Sequence, residues 1–272
     1  MSLTSLRSMA PTALRAVHGL RYVLALREGG SLPGLVEADD LGTYVVKFRG
    51  AGQGPRTLVA EAVVGELARG LGLPVPELVV VSMDPHMASA EPDEEVQDLL
   101  RSSGGSNLGI DYLPGALGLE LSADAGSVVG ADLAAEIVWL DAWTMNVDRT
   151  WRNPNMLVWH GTPWLIDHGA ALYFHHDWAS SAATLAKPTP LMSEHVLLPI
   201  AGDLRAAHTR LARLVTDAVL DRAVEAPPDE WLVDDSTGGD EARLRYRRAL
   251  QQRLASPDVW LEPLEVARAA RL

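Results

Sequence analysis

Asp148, Asn153 and Asp167 are the residues whose types and order could do chemistry. They lie in the stretch 146–169, NVDRTWRNPNMLVWHGTPWLIDHG, with a short apolar hairpin between the amide and the second acid. An acid, an amide and a second acid at that spacing suit phosphoryl transfer from a magnesium nucleotide. One carboxylate can orient or deprotonate an acceptor hydroxyl, while the amide and the other carboxylate offer hard oxygens to Mg2+. Asp167 closes an apolar run, Trp164-Leu165-Ile166, which predicts a buried strand carrying the acid to a pocket edge. Gly169 is expected to let the backbone turn sharply just beyond it. Taken singly, each of these residues also fits a polar turn in which Asn and Asp cap the backbone.

Such a site needs a cation, and lysine is scarce. Of 23 Lys and Arg residues only Lys47 and Lys187 are lysines, and neither follows a glycine, which excludes a Gly-Lys-Ser/Thr phosphate loop. Lys187 precedes Pro188 in a polar loop. Lys47 lies in Thr43-Tyr44-Val45-Val46-Lys47-Phe48, a β-rich run. There a compact point charge in an arginine-dominated chain suggests a site that wants an ammonium, the alternative being a solvent-facing strand residue. A helix is predicted over 56–70, with Val59, Val63 and Leu67 on one stripe and Gly72 as its stop. Such a helix can carry a glutamate that orients the lysine, and Glu61 and Glu66 are both candidates. Upstream, Gly29, Gly30 and Ser31 offer backbone N–H groups that could cover phosphates; a plain hairpin loop fits them equally well.

The chain has 272 residues, 47% of them hydrophobic, enough for one large domain or two lobes. With no cysteine, disulfides, thiolate metal sites and thiol nucleophiles are excluded, which fits a reducing cytoplasm. A formal charge of -13 disfavours a nucleic-acid backbone or an anionic membrane as the main partner. No run reaches membrane-span length and the N-terminus lacks a signal-peptide core, so a cytoplasmic protein is expected. Further helices are predicted over 133–145, 191–201, 203–224 and 240–254, the last with a solvated basic face. The acidic, then Ser/Gly-rich stretch 84–106 predicts helix plus loop, and 177–190 a mobile loop. His175-His176-Asp177 fits a polar turn better than a metal cluster.

Asp148-Arg149, Asn153 and then Ile166-Asp167-His168-Gly169 together resemble the catalytic and metal-binding segments of HipA-like kinases. More distantly, the block is similar to that of phosphatidylinositol kinases. The resemblance extends through Val45-Val46-Lys47-Phe48, Leu71-Gly72-Leu73-Pro74 and His195-Val196-Leu197-Leu198-Pro199. It implies a two-lobed α+β protein-kinase-like fold, with a β-rich N-terminal lobe over 1–115 and a mainly helical C-terminal lobe over 116–272. It implies ATP and Mg2+ as cofactors, with Lys47 on the α/β-phosphates and Glu61, favoured over Glu66 by the family pattern, holding the lysine. Asn153 and Asp167 would ligate Mg2+, and Asp148 would accept or aim the hydroxyl proton. Gly30 and Ser31 would cover the phosphates. Asp111, Tyr112 and Leu113, in a connector over 107–118, would meet the adenine edge.

The implied acceptor is Ser or Thr of a protein; apart from the resemblance, Ser180, Ser181, Thr184 and Thr189 make the 179–189 loop a candidate for autophosphorylation. Arg149 would neutralise charge beside Asp148 or form a structural salt bridge. Departures from the wider kinase pattern are the missing His-Arg-Asp, His168 in place of Phe, and the lack of a strong Gly-rich loop. They keep two alternatives open: a nucleotide-binding pseudokinase, and an enzyme of this fold with a small-molecule or nucleotidyl-transfer reaction.

Overall fold

Strands rich in Val, Tyr and Leu close into a barrel in the computed structural model, which describes residues 14–26, 32–119, 128–232 and 238–270. The strands β1 Arg15–Ala25, β2 Gly34–Ala38, β3 Thr43–Lys47, β4 Leu78–Met83 and β5 Gly105–Asp111 pair in the order β1-β2-β3-β5-β4. All neighbours are antiparallel except β1 and β4, whose parallel pairing, Arg15 opposite Val79, closes the barrel and removes its open edges. Strand alternation sorts the side chains. Val36, Val46, Val79 and Val81 fill the interior with Tyr44 and Phe48, while Leu78, Leu108 and Ile110 join a second core outside it.

That second core is built around helix α1, Pro55–Gly70. Pro55 suits the first turn, where its missing N–H goes unmissed. Gly72 ends the helix at φ 81°, with Leu73 N–H donating to Ala68 O (2.9 Å) and Gly72 N–H to Arg69 O (3.0 Å), a Schellman motif. The expected single stripe is too narrow a description. From Leu58 to Gly65 every residue is buried, because α1 packs on β4 and β5 on one side and on a later helix on the other. This wedged position is what buries Glu61.

A 3-10 turn Pro85–Ala90 and helix α2, Glu94–Ser102, follow β4. The expected connector over 107–118 is shorter than that: 107–111 belongs to β5, and the chain then reaches strand β6, Leu117–Gly118, which pairs with the hairpin β7 Met156–Trp159 and β8 Thr162–Leu165. His160 and Gly161, at φ 50° and 75°, supply the two left-handed residues of a tight hairpin turn. The rest of the described chain carries α-helices joined by 3-10 turns and loops: α3 Ala131–Thr144, α4 Ser181–Leu185, α5 Leu204–Leu214, α6 Asp217–Glu225, α7 Gly239–Leu254 and α8 Asp258–Ala269. It is α6 that covers the outer face of α1.

Several expectations change here. Residues 191–201 form two 3-10 turns, Met192–Glu194 and Leu198–Ile200, because Pro199 cannot continue a helix. The helix over 203–224 breaks into α5 and α6, where the Thr216 side chain accepts from Val219 N–H and starts a new helix. The basic face of α7 is not simply solvated. Arg253 is 1% exposed and donates to the carbonyls of Ala142, Trp143, Leu185 and Lys187 and to Thr189 Oγ1 (2.6 Å). It thereby pins the segment expected to be a mobile loop, and it buries Thr189, whose hydroxyl also donates to Ala142 O. Within its 3-10 turn His175 is buried, its ring bonded to Tyr246 Oη at 3.1 Å, while Tyr173, His176 and Asp177 stay exposed, as in the polar turn expected. Among the described residues no helix is long and apolar enough to cross a membrane.

Candidate active site

Lys47 ends β3, and its side chain runs between α1 and the turn after β8. The ammonium contacts Glu61 Oε1 and donates to Asp167 Oδ1 at 2.7 Å. Glu61 is 1% exposed, and its other oxygen accepts from His168 N–H at 2.8 Å, so one glutamate holds both the lysine and the turn that carries Asp167. Glu66, the rival candidate, pairs with Arg69 instead. Burial, the largest influence on Lys47, would lower its pKa, but Glu61 and Asp167 together outweigh it and keep the amine charged. Glu61 is pushed up to about 7 by burial, against the pull of Lys47. Burial would raise Asp167 as well, yet Lys47 holds it down at about 2.

The sharp turn falls at Asp167, which adopts φ 57°, rather than at Gly169. A left-handed aspartate is tolerated where its surroundings hold it, and such strain gathers at functional sites. Gly169 is required for a different reason: a Cβ there would sit 2.5 Å from Thr57 Cγ2 and 3.2 Å from Glu61 Oε1. The glycine lets the Asp167 turn lie directly against α1.

Asp148 follows the left-handed end of α3 at Met145. Its Oδ2 accepts from Asn153 Nδ2 at 2.7 Å and from Asn155 Nδ2 at 3.3 Å, and its own N–H donates to Asn146 Oδ1. Asn153 thus uses its amino group on Asp148 and keeps Oδ1 as its hard donor. Asn155 was not anticipated. It is buried, takes φ 49°, and its carbonyl accepts from Ile166 N–H at 3.1 Å, linking the two acid-bearing turns.

Arg149 is the second organiser of the site. Its side chain is fully buried, and Nε donates to Asp141 Oδ2 at 2.6 Å. The rest of the guanidinium reaches the carbonyls of Asn155 and Ile166 and lies 3.3 Å from His168 Nδ1. Asp141 is completed by Asn146 Nδ2 (2.9 Å) and His195 Nε2 (3.0 Å). Leu197 N–H donates to His195 Nδ1, which places the ring proton on Nε2; burial, the main cause, lowers the His195 pKa and keeps the ring neutral. Of the two readings of Arg149, the structural salt bridge is the one observed. The clue in the sequence was Asp141, set in the apolar run 137–143 of its helix, since such residues are buried only when paired.

Lys47, Asp148, Asn153 and Asp167 line one cleft of about 680 Å3, together with Leu119, Met156, Leu157 and Ile166. One ammonium there meets three carboxyl groups, counting Glu61 behind it, so an anionic substrate needs added positive charge. Among the described residues no group of three or more His, Asp or Glu forms a metal cage alone. The carboxylate of Asp167 and the amide oxygen of Asn153 fit Mg2+, which takes few protein oxygens and keeps water or phosphate for the rest. Asp111, Tyr112 and Leu113 are not brought to the cleft wall; Gly118 and Leu119 line it instead. Tyr112 N–H donates to Thr43 O at 3.0 Å and Asp111 N–H to Glu77 O at 2.9 Å, so both are committed within the barrel. Gly30 and Ser31 lie outside the described residues.

Comparison with known proteins agrees with this architecture. A family model described as HipA-like kinase matches residues 23–262, which takes in every described residue of the cleft. No curated protein matches the chain. Among solved structures, the chain is similar to the Helicobacter pylori proinflammatory kinase CtkA, with a TM-score of 0.58 and 11% identity over 92% of this chain and 96% of that one. At that identity the likeness concerns the fold, a β-rich N-terminal part and a helical C-terminal part. Family and fold together support a kinase-type function, and the chain belongs to the HipA-like kinase family.

Proposed function

We propose that the chain is an ATP- and Mg2+-dependent phosphotransferase whose acceptor is a Ser or Thr hydroxyl of a protein. The observation that carries this reading is the single lysine held between Glu61 and Asp167 in the same cleft as Asp148 and Asn153. Residues 1–115 and 116–272 act as the two lobes that enclose the nucleotide. Lys47 pairs with the α/β-phosphates as a point charge, and Glu61 keeps it extended. Leu119, Met156 and Ile166 offer an apolar wall to the purine, and the chain at Gly118 and Leu119 borders the cleft where an adenine edge would lie. Asp167 and Asn153 hold Mg2+, which neutralises charge on the phosphates when bound.

Asp148 orients the acceptor hydroxyl and accepts its proton. The hydroxyl oxygen bonds to the γ-phosphorus as the bridging P–O bond breaks, and ADP leaves with that electron pair. Positioning by the Arg149 network supplies much of the effect, since misplacing a reacting group by an ångström is costly. A cytoplasmic setting, where ATP is abundant, suits the reaction. Calorimetric binding of Mg-ATP combined with a phosphate-transfer assay tests the assignment. Asp148→Asn should keep the nucleotide affinity while transfer falls by about 10^2 to 10^4, the usual value of a positioned base. Unchanged transfer by this variant, or no nucleotide binding by wild type, would overturn it.

A further inference from the structure

Asp148 and Asn153 both line the cleft, and the turn that joins them displays Trp151 and Arg152 to solvent. Of the chain's eight tryptophans Trp151 alone is exposed, at 56%; the other seven are buried or half-buried. An indole in that position offers a large, rigid contact area next to the proposed reaction centre. The Arg152 guanidinium lies over its ring, 4.7 Å from the centroid. Such stacking fixes the plane of the guanidinium and leaves its N–H groups around the edge of the stack.

Backbone bonds shape this turn without help from either side chain. Thr150 N–H donates to Asn153 O at 3.0 Å and Asn153 N–H to Thr150 O at 3.1 Å, which closes it across Trp151 and Arg152. Val196 N–H donates to Arg149 O at 3.1 Å, and Thr150 pairs antiparallel with His195. The buried Arg149 side chain anchors the same turn from beneath. A rigid base that presents an exposed Trp and Arg is pre-organised for binding, since little freedom is left to lose. Those two residue types also dominate recognition surfaces most often. Arg152 follows Asp148 by four positions, at most about 14 Å of backbone.

We propose that Trp151 and Arg152 form the acceptor-recognition surface of the cleft and take an acidic side chain close in sequence to the acceptor hydroxyl. The inference rests on the protein-acceptor reading of the cleft and adds a specificity determinant to it. With Asp148 and Asp167 in the cleft and a formal charge of -13, this molecule repels an acidic acceptor at large. The guanidinium beside Asn153 supplies the local attraction, a charge-assisted and bidentate one, while a basic neighbour would meet like charge there. The indole covers the stem of the bound side chain. An extended segment advances about 3.3–3.6 Å per residue, so the acid falls within about four positions of the hydroxyl held by Asp148.

The test needs no turnover. Fluorescent peptide libraries carry a central serine in a degenerate background, with glutamate, glutamine or lysine fixed at one position within about four residues of it. They are titrated by anisotropy without nucleotide, at physiological salt, where charges beyond about 8 Å are screened. At the best position wild type should bind the glutamate library roughly tenfold more tightly than the glutamine one, the scale of one charge-assisted contact. Arg152→Gln should abolish that preference, and Arg152→Glu should turn it into a preference for lysine. Trp151→Ala should weaken every library, because the shared platform is gone. All three variants should melt close to wild type, since exposed substitutions change stability little, and this separates lost recognition from misfolding. No glutamate preference in wild type, its persistence in Arg152→Gln, or unchanged binding by Trp151→Ala would overturn the proposal. So would failure of wild type to bind any library. Because binding is read without ATP, a glutamate preference in a protein that transfers no phosphate would support the surface and overturn only the reading of the cleft.

Discussion

Replacing Arg149 by methionine probes how the two acid-bearing turns are held together. The side chain has no solvent exposure and ties Asp141 to the carbonyls of Asn155 and Ile166 and to the His168 ring. Methionine fills similar volume but leaves Asp141 fully buried with only Asn146 and His195 as partners. Removing one member of a buried pair costs about 3–5 kcal/mol, because the remaining charge stays out of water. For a domain of this size that is a fall of roughly 10 °C in Tm.

The pair can be separated from its members by a cycle. Asp141→Leu alone should also be costly, whereas Asp141→Leu/Arg149→Met should recover at least about 2 kcal/mol relative to the sum of the single changes. Urea unfolding of the four proteins measures this, and Mg-ATP affinity against phosphate transfer measures the consequence. Transfer should fall further than affinity in Arg149→Met, since Asp148 and Asp167 lose their common tie. A cost below about 1 kcal/mol for Arg149→Met, or additive single changes, would refute the network as the organiser of the site.

Two further outcomes follow from single residues. His175 is pushed down to about 3, chiefly by burial, so the folded ring stays neutral while the unfolded one protonates near its ordinary 6.5. Its contribution to stability is therefore full above about pH 6.5 and is lost as pH falls toward 3, with a slope of up to about 1.4 kcal/mol per pH unit. His175→Gln should flatten urea-derived stability by about one proton between those limits, and an unchanged slope would contradict the assignment. Gly169→Ala should destabilise by about 1–3 kcal/mol, because its Cβ would overlap Thr57 Cγ2. Thr57→Ser in the same protein removes that methyl and should restore part of the loss in a thermal melt; no restoration would show that the close approach is unimportant.

What was legible in the sequence was local. Lys47 on a strand, Glu61 on the following helix, and Asp148, Asn153 and Asp167 around a hairpin are all set by short spacings, and the structure brings these five together. What was not legible depended on distant partners. The barrel closes through a parallel pairing of β1 with β4, more than sixty positions apart in register, which no local pattern reveals. Asp141 and His195, 54 positions apart, and Arg149 between them meet only when folding buries them against one another. Arg253 and Thr189 were misjudged for the same reason, since exposure of a polar residue is decided by what packs over it. Gly169 was singled out correctly but for the wrong property: closeness to α1, not positive φ, explains it.

The proposed phosphoryl-transfer site stands on Lys47, Glu61, Asp148, Asn153 and Asp167. Its most direct test is intact-mass spectrometry of the protein, with bulk lysate proteins present, after incubation with Mg-ATP, alongside Asp167→Ala. Wild type should add the mass of phosphate to protein, and the variant should not. Addition of a whole nucleotide, equal addition by both proteins, or none by wild type would contradict it.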